Sequence, residues 1–180
     1  MKKIIITALL LVFASSLCFA QKTLYFDGMS FDRKGWTSLQ TNRGKDGASS
    51  IYGQKSILYV GGFVINILKE RLEDGMTLNA FTERLQEETI DNIMESLNSG
   101  ASKLKVEPKS NVEDTQINGI EAKYFDLKYK KGIGSSFQRT FCLAKDGYII
   151  TIITTSGTWD VKTHKKYFAK ILKSFSFTPE

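Results

Sequence analysis

This 180-residue chain has few of the residues that usually carry chemistry. It holds one histidine, His164, two cysteines, Cys18 and Cys142, and two prolines, Pro108 and Pro179. With no second histidine, the usual histidine-built zinc site cannot be assembled. No serine-centred nucleophile elbow is present, and there is no internal repeat and no low-complexity tract. Gly132-Ile133-Gly134-Ser135-Ser136 resembles a phosphate loop only superficially. It lacks a third glycine and a Gly-Lys-Ser/Thr ending, and a strand rather than a helix follows it, so it reads as a hairpin connection. Asp27, Asp32, Asp46, Glu113 and Asp114 are acidic loop residues, but no calcium-loop spacing joins them. The sequence therefore suggests no cofactor and no metal, and it argues against an enzyme.

What is present begins with a leader. Lys2 and Lys3 precede an apolar stretch from Ile4 to Phe13, and small residues lead into Leu17-Cys18-Phe19-Ala20. This pattern reads as a secretory signal peptide, residues 1–20, cut between Ala20 and Gln21. The run is shorter than the roughly 20 apolar residues of a membrane span. Residues 21–180 are thus expected to be exported, periplasmic or secreted, with no transmembrane segment after signal removal. The rival reading is a lipoprotein anchored through Cys18. Lipidation favours a small residue just before the cysteine, and Leu17 stands there.

Losing Cys18 with the leader would leave Cys142 without a disulfide partner, so the core must hold the fold. Cys142 then reads as a small buried strand residue rather than a reactive thiol. Removing Lys2 and Lys3 lowers the formal net charge from +6 to +4. A mildly basic exported chain suits an acidic protein partner or an anionic envelope surface, and does not imply nucleic acid. Roughly 160 residues rich in apolar side chains make one domain with a core of its own.

Along that domain, Thr23 to Phe26 and Gly35 to Leu39 are short strand candidates, and Asn42 to Ser50 is glycine-rich and reads as a loop. A β-branched run from Ser56 to Lys69 is interrupted by Gly61-Gly62, which implies a bulge, a bend or two strands. Thr77 then caps a helix to about Leu97. At about 100° per residue, Leu78, Phe81, Leu85, Ile90, Ile93, Met94 and Leu97 form its apolar face. Glu83, Glu87, Glu88, Asp91 and Glu95 lie opposite, with Arg84 the lone cation among them. Strands resume at Leu104–Val106. Asn118-Gly119 is a two-residue hairpin signal, and Asp146-Gly147 is a second turn. Between these turns Phe125, Leu127 and Tyr129 alternate with Asp126, Lys128 and Lys130, and Tyr148 to Thr154 is a dense β segment. A closing helix, about Asp160 to Ser174, carries Val161, Tyr167, Phe168, Ile171 and Leu172 inward. Lys162, Lys166, Lys170 and Lys173 point outward, with Lys165 at the edge. His164 falls within the apolar arc and reads as buried packing with one hydrogen bond. A Cys142–His164 nucleophile pair would require the two to meet.

The chain also resembles the PsbP-like, DcrB-like superfamily of small exported proteins. The matching stretches are Glu73-Asp74-Gly75-Met76-Thr77-Leu78, Ile117-Asn118-Gly119-Ile120-Glu121-Ala122-Lys123-Tyr124, Asp146-Gly147-Tyr148-Ile149-Ile150-Thr151, and Tyr167 through Phe177. These stretches are structural signatures and mark no active site. The resemblance implies an α+β fold, a central antiparallel sheet flanked by helices on both faces (an α/β/α sandwich), over a single domain at 21–180. It also implies action without catalysis. The PsbP branch helps organise the photosynthetic oxygen-evolving complex, a DcrB branch sits in the bacterial periplasm, and other branches bind a GTPase or chaperone effectors. No residue of a photosystem calcium or chloride site can be matched here.

The first expectation is therefore an exported, non-catalytic domain that binds a protein or envelope component, with Lys162, Lys166, Lys170 and Lys173 as the partner-binding surface. The alternative is a small-molecule or lipid-binding periplasmic protein with a pocket between sheet and helix. The acidic and basic helix faces also offer a route to salt-sensitive head-to-tail self-association.

Overall fold

The computed structural model describes residues 23–33, 36, 38–44, 48–57, 61–98, 104–108, 111–131, 134–157 and 161–177. The expected leader with Cys18, together with Asp46, Leu58-Tyr59-Val60 and Asp160, lies outside the described residues. Among the described residues, eleven strands and two helices follow one another in the order β1 (Thr23–Phe26), β2 (Met29–Asp32), β3 (Ser38–Arg43), β4 (Ser49–Ile57), β5 (Gly61–Arg71), α1 (Leu78–Asn98), β6 (Leu104–Pro108), β7 (Glu113–Ile117), β8 (Ile120–Lys131), β9 (Gly134–Lys145), β10 (Tyr148–Ser156), α2 (Val161–Ser174) and β11 (Ser176–Phe177).

Eight strands make one sheet in the order β3-β4-β5-β10-β9-β8-β6, with β7 paired to β8. A second, small sheet has the order β1-β2-β11. Every pairing is antiparallel. Three of the connections are two-residue turns with both φ angles positive: Asp27-Gly28 (50° and 71°), Asn118-Gly119 (50° and 83°) and Asp146-Gly147 (51° and 77°). This geometry matches the right-handed twist of the flanking strands, and Asn, Asp and Gly reach it at least cost.

Several expectations shift in detail. The Asp27-Gly28 hairpin and strand β2 are additions to the expected elements, and Met29 and Phe31 of β2 are among the most buried side chains. The second expected strand lies at Ser38–Arg43 rather than Gly35–Leu39, and β4 begins at Ser49, so the expected Asn42–Ser50 loop is shorter. A hydrogen bond from Gly44 N to the Ala48 carbonyl (2.8 Å) spans it. β3 is an edge strand whose Gln40, Thr41 and Asn42 are exposed, so it carries no apolar pattern to read. The run broken by Gly61-Gly62 is two antiparallel strands, with Ile57 opposite Gly61.

The main core joins Phe63, Ile65 and Ile67 of β5, Phe141 and Leu143 of β9, and Ile150 and Ile152 of β10 to Phe168 and Ile171 of α2; Met29 and Phe31 of β2 belong to it, as do Ile51, Ile117, Ala122 and Phe175. A smaller cluster holds Phe81 of α1 with Cys142 and Ile149, flanked by Leu72, Met76, Leu78 and Leu85. The two clusters interleave along β9 and β10.

α1 starts where expected. Ala80 N donates to Thr77 Oγ1 (3.2 Å), the bond of an N-cap residue. Its packed stripe differs from the expected one. Phe81 and Thr82 are buried, Leu78, Leu85, Thr89, Ile90 and Ile93 are partly buried, and Met94 is exposed. Position 94 lies about 100° around the helix from Ile93, which turns Met94 outward once Ile93 packs. Thr82 tolerates burial because its hydroxyl donates to the Leu78 carbonyl (2.7 Å). No helix among the described residues is long and apolar enough to cross a membrane.

Candidate functional surfaces

α2 forms because residues at helical spacing supply a narrow apolar stripe. Phe168 and Ile171 are buried, and Val161, Tyr167 and Leu172 are partly so. Tyr167 stacks on Phe63 at 4.4 Å between ring centroids and meets Trp36 edge-on at 6.4 Å. The opposite side is basic. Lys162, Lys166, Lys170 and Lys173 are all exposed, as the spacing requires. Lys166, Lys170 and Lys173 make no ion pair among the described residues. Lys162, Lys166 and Lys170 stand four residues apart, so they repel one another by a few tenths of a kcal/mol per pair. Lys173, in the last turn, is favoured by the helix dipole, whereas Lys162 in the first turn opposes it.

Lys165 behaves differently. Its Nζ reaches Asp126 Oδ2 at 3.5 Å. Asp126 is buried in β8, directly across from Arg139 of β9, which grips it through Nε and Nη2 at 2.6 Å each. The Arg139 guanidinium also lies over the Tyr124 ring at 4.4 Å. Alternation along the sequence groups Asp126 with the solvent-facing lysines of β8. The strand register instead gives it a paired cation, which is what burial of a carboxylate demands.

His164 lies on the inner side of α2 and is fully buried. Its ring is 4.7 Å from Phe137 and 4.5 Å from Phe168. Two hydrogen bonds hold it, one more than expected: Ser156 Oγ to Nδ1 at 2.6 Å and Thr154 Oγ1 to Nε2 at 3.2 Å. The Thr154 hydroxyl donates to the Arg139 carbonyl (2.9 Å), so it must accept from Nε2. The neutral Nε2–H tautomer follows, with Ser156 donating to Nδ1. Burial, then the charge of Arg139, pushes the imidazole pKa down to about 4; Asp126 opposes this and Lys165 adds to it. A serine hydroxyl bonded to a histidine is the start of a nucleophile–base pair, but Ser156 and His164 are both closed off from solvent.

Cys142 and His164 are not brought together. Cys142 belongs to the cluster around Phe81, and His164 packs among Phe63, Phe137 and Phe168. Burial pushes the Cys142 thiol up to about 11, the opposite of what a nucleophile needs.

Of the residues expected in acidic loops, Asp32 ends β2 and Glu113 and Asp114 open β7, because both strands are short and partly exposed; Asp27 does lie in a turn, where it has partners. Ser49 Oγ donates to Asp27 Oδ2 at 2.7 Å, Lys69 Nζ lies 3.1 Å from the same oxygen, and Arg43 approaches Oδ1 at 4.0 Å. Lys69 also sits over the Tyr148 ring at 4.5 Å. The turn of the small sheet is thereby clasped to β3, β4 and β5. Burial raises the Asp27 pKa, but the bonds from Ser49 and Lys69 and the nearby cations outweigh it and hold it below the ordinary value. A cleft of about 160 Å³ adjoins the clasp, lined by Asn42, Ser49, Ser50, Lys69 and Glu70 among others. Glu113 accepts from the Tyr124 hydroxyl, and Asp114 pairs with Lys123 at 2.5 Å. Among the described residues no three His, Cys, Asp or Glu side chains converge as metal ligands.

The outer side of α1 is acidic, as its spacing implies. Glu83, Glu87, Glu88, Asp91 and Glu95 are exposed. Arg84 pairs with Glu73 (3.4 Å) and Glu88 (3.8 Å), while Glu87, Asp91 and Glu95 have no ion pair among the described residues.

No family model matches the chain, and no curated protein matches it either. Solved structures do. Cyanobacterial PsbP (CyanoP) from Synechocystis sp. PCC 6803 is 16% identical, with a TM-score of 0.59 over 84% of this chain and 87% of that one. A Bacteroides thetaiotaomicron protein is 10% identical, with a TM-score of 0.49 over 88% of this chain and 49% of that one. A protein of unknown function from Pseudomonas aeruginosa, PA94, is 9% identical, with a TM-score of 0.47 over 88% and 97%. The antiparallel sheet, the two helices and the likeness to cyanobacterial PsbP together make this a PsbP-like fold.

Proposed function

We propose that residues 21–180 are a single exported, non-catalytic domain, built as an α/β/α sandwich. In this reading it binds an acidic protein partner or an anionic envelope surface through Lys162, Lys166, Lys170 and Lys173. The sandwich is supported by alternation. Cys142 and Ile149, packed with Phe81 of α1, alternate along β9 and β10 with Leu143 and Ile150, which share a core with Phe168 and Ile171 of α2. Successive strand side chains face opposite ways, which supports a helix on each face of the sheet. The leader pattern of residues 1–20 supports export.

The observation that carries the binding role is the exposed lysine row of α2, three of whose members have no ion pair among the described residues. Like charges at four-residue spacing weaken an isolated helix, and an external anion removes that cost. The buried Asp126–Arg139 pair also meets Lys165, at the edge of this row. The absence of catalysis rests on the burial of Ser156, His164 and Cys142, the groups best suited to nucleophilic chemistry.

The test is capture from solubilised envelope extract by the tagged protein, at low and at high salt, with retained material identified by mass spectrometry. A specific acidic partner, or anionic lipid, held at low salt and released at high salt is the expected result. Retention of nothing specific at either salt would contradict the proposal.

A further inference from the structure

We infer that the lysine face of α2 takes as its partner a second copy of this chain, which presents the acidic face of α1. The inference rests on the reading of that face as the binding surface and on the two helices lying on opposite sides of the sheet.

The two faces are matched in sign, spacing and length. On α1, Glu83, Glu87, Asp91 and Glu95 recur every four residues and are exposed. They form a ladder about 18 Å long at 1.5 Å per residue. On α2, Lys162, Lys166 and Lys170 recur at the same spacing and Lys173 extends them, a row of about 16 Å. Helix side chains four apart form one of the ridges along which helices pack, so the two ladders can lie along each other and pair charge by charge. Within one chain the lysines of α2 have no access to the acids of α1, because the sheet stands between them.

Apolar residues fit the same pairing. Met94 is 36% exposed beside Asp91 and Glu95, and the small exposed Ala169 lies among Lys166, Lys170 and Lys173. A flexible thioether against an alanine gap adds contact without a clash.

Because each copy uses a different face for each neighbour, the contact is heterologous. It does not close on a two-fold axis, and it extends into chains or rings. Two helix faces make a small interface, so charge carries a large share of the association, and screening must weaken it.

The chain, purified as the cell processes it, should be sedimented over a concentration series at about 0.01 M and about 1 M salt, where the screening length falls from about 30 Å to about 3 Å. At low salt the average mass should rise with concentration beyond a dimer, and at high salt it should return to the monomer. Two neutralised variants complete the test. One carries Lys162→Gln, Lys166→Gln, Lys170→Gln and Lys173→Gln, and the other Glu83→Gln, Glu87→Gln, Asp91→Asn and Glu95→Gln. Each keeps one intact face, so each alone should stay monomeric, and their mixture should stop at a one-to-one dimer. Unchanged circular dichroism spectra would show that both variants fold. Overturning results are a wild-type chain that stays monomeric at low salt, or self-association that neither variant changes. A monomeric wild-type chain that still captures an acidic envelope partner through the lysines would sink this inference and leave the proposed function standing.

Discussion

His164 sits on an apolar helix arc, and that position alone makes its burial legible in the sequence. Its partners are harder to see, because Thr154 and Ser156 reach it only once β10 lies under α2. The consequence is a pH dependence of known sign. The folded protein holds His164 neutral down to about pH 4, whereas an unfolded histidine takes up a proton near 6.5. The stability this histidine confers is complete above about pH 6.5 and is lost as the pH falls toward about 4. The loss amounts to about 3 kcal/mol. Urea unfolding from pH 7 down to pH 4, compared with the same series on His164→Leu, should isolate that slope; equal slopes in the two proteins would refute it. Asp27 contributes in the same direction at lower pH, since its depressed pKa favours the folded state until the carboxylate protonates. Cys142 gives a second test at this scale. Its raised pKa and complete burial should make it inert to thiol reagents at neutral pH. Labelling should follow the unfolding rate in urea, and fast labelling of the native chain would contradict the packing. Asp126 marks the limit of sequence reading, because its burial depends on Arg139 standing opposite, a fact of register rather than of local pattern.

At the scale of elements, what can be read is what carries a strong local signal. The helix after Thr77 shows helical periodicity, and Asn118-Gly119 and Asp146-Gly147 show turn chemistry. Asp27-Gly28 carries the same signal, but the strand after it is only four residues long. β3 lies away from its expected position because an exposed edge strand needs no apolar alternation. Two substitutions test the packing of these elements. Thr77→Ala removes the acceptor for Ala80 N and should cost about 1 kcal/mol in urea unfolding, with Thr77→Ser restoring most of it. Gly53→Ala is expected to cost about 1–3 kcal/mol. A Cβ there would lie 2.8 Å from Ile65 Cγ2 and 2.9 Å from Leu39 Cδ2, inside the contact between β4 and its neighbours. A neutral effect would mean that this part of the sheet packs more loosely than the geometry indicates.

For the molecule as a whole, the order of strands, helix, meander and closing helix is legible in the sequence, and it matches the fold of cyanobacterial PsbP. The small sheet is not, because it joins β1 and β2 to β11 from the far end of the chain. The candidate surface is legible as charge spacing on one helix, and the exposure of its four lysines agrees with that spacing. What the spacing does not supply is the setting, in which Asp126 and Arg139 meet Lys165 beside the row. Binding by this lysine face is tested most directly by comparing capture from envelope extract by two chains. One is the wild type and the other carries Lys166→Glu, Lys170→Glu and Lys173→Glu, quantified side by side at low salt. Loss of at least about tenfold of the specifically retained material is expected, since each lost ion pair at a contact is worth roughly 0.2–1 kcal/mol and reversal adds repulsion. Undiminished capture by the charge-reversed chain would contradict it.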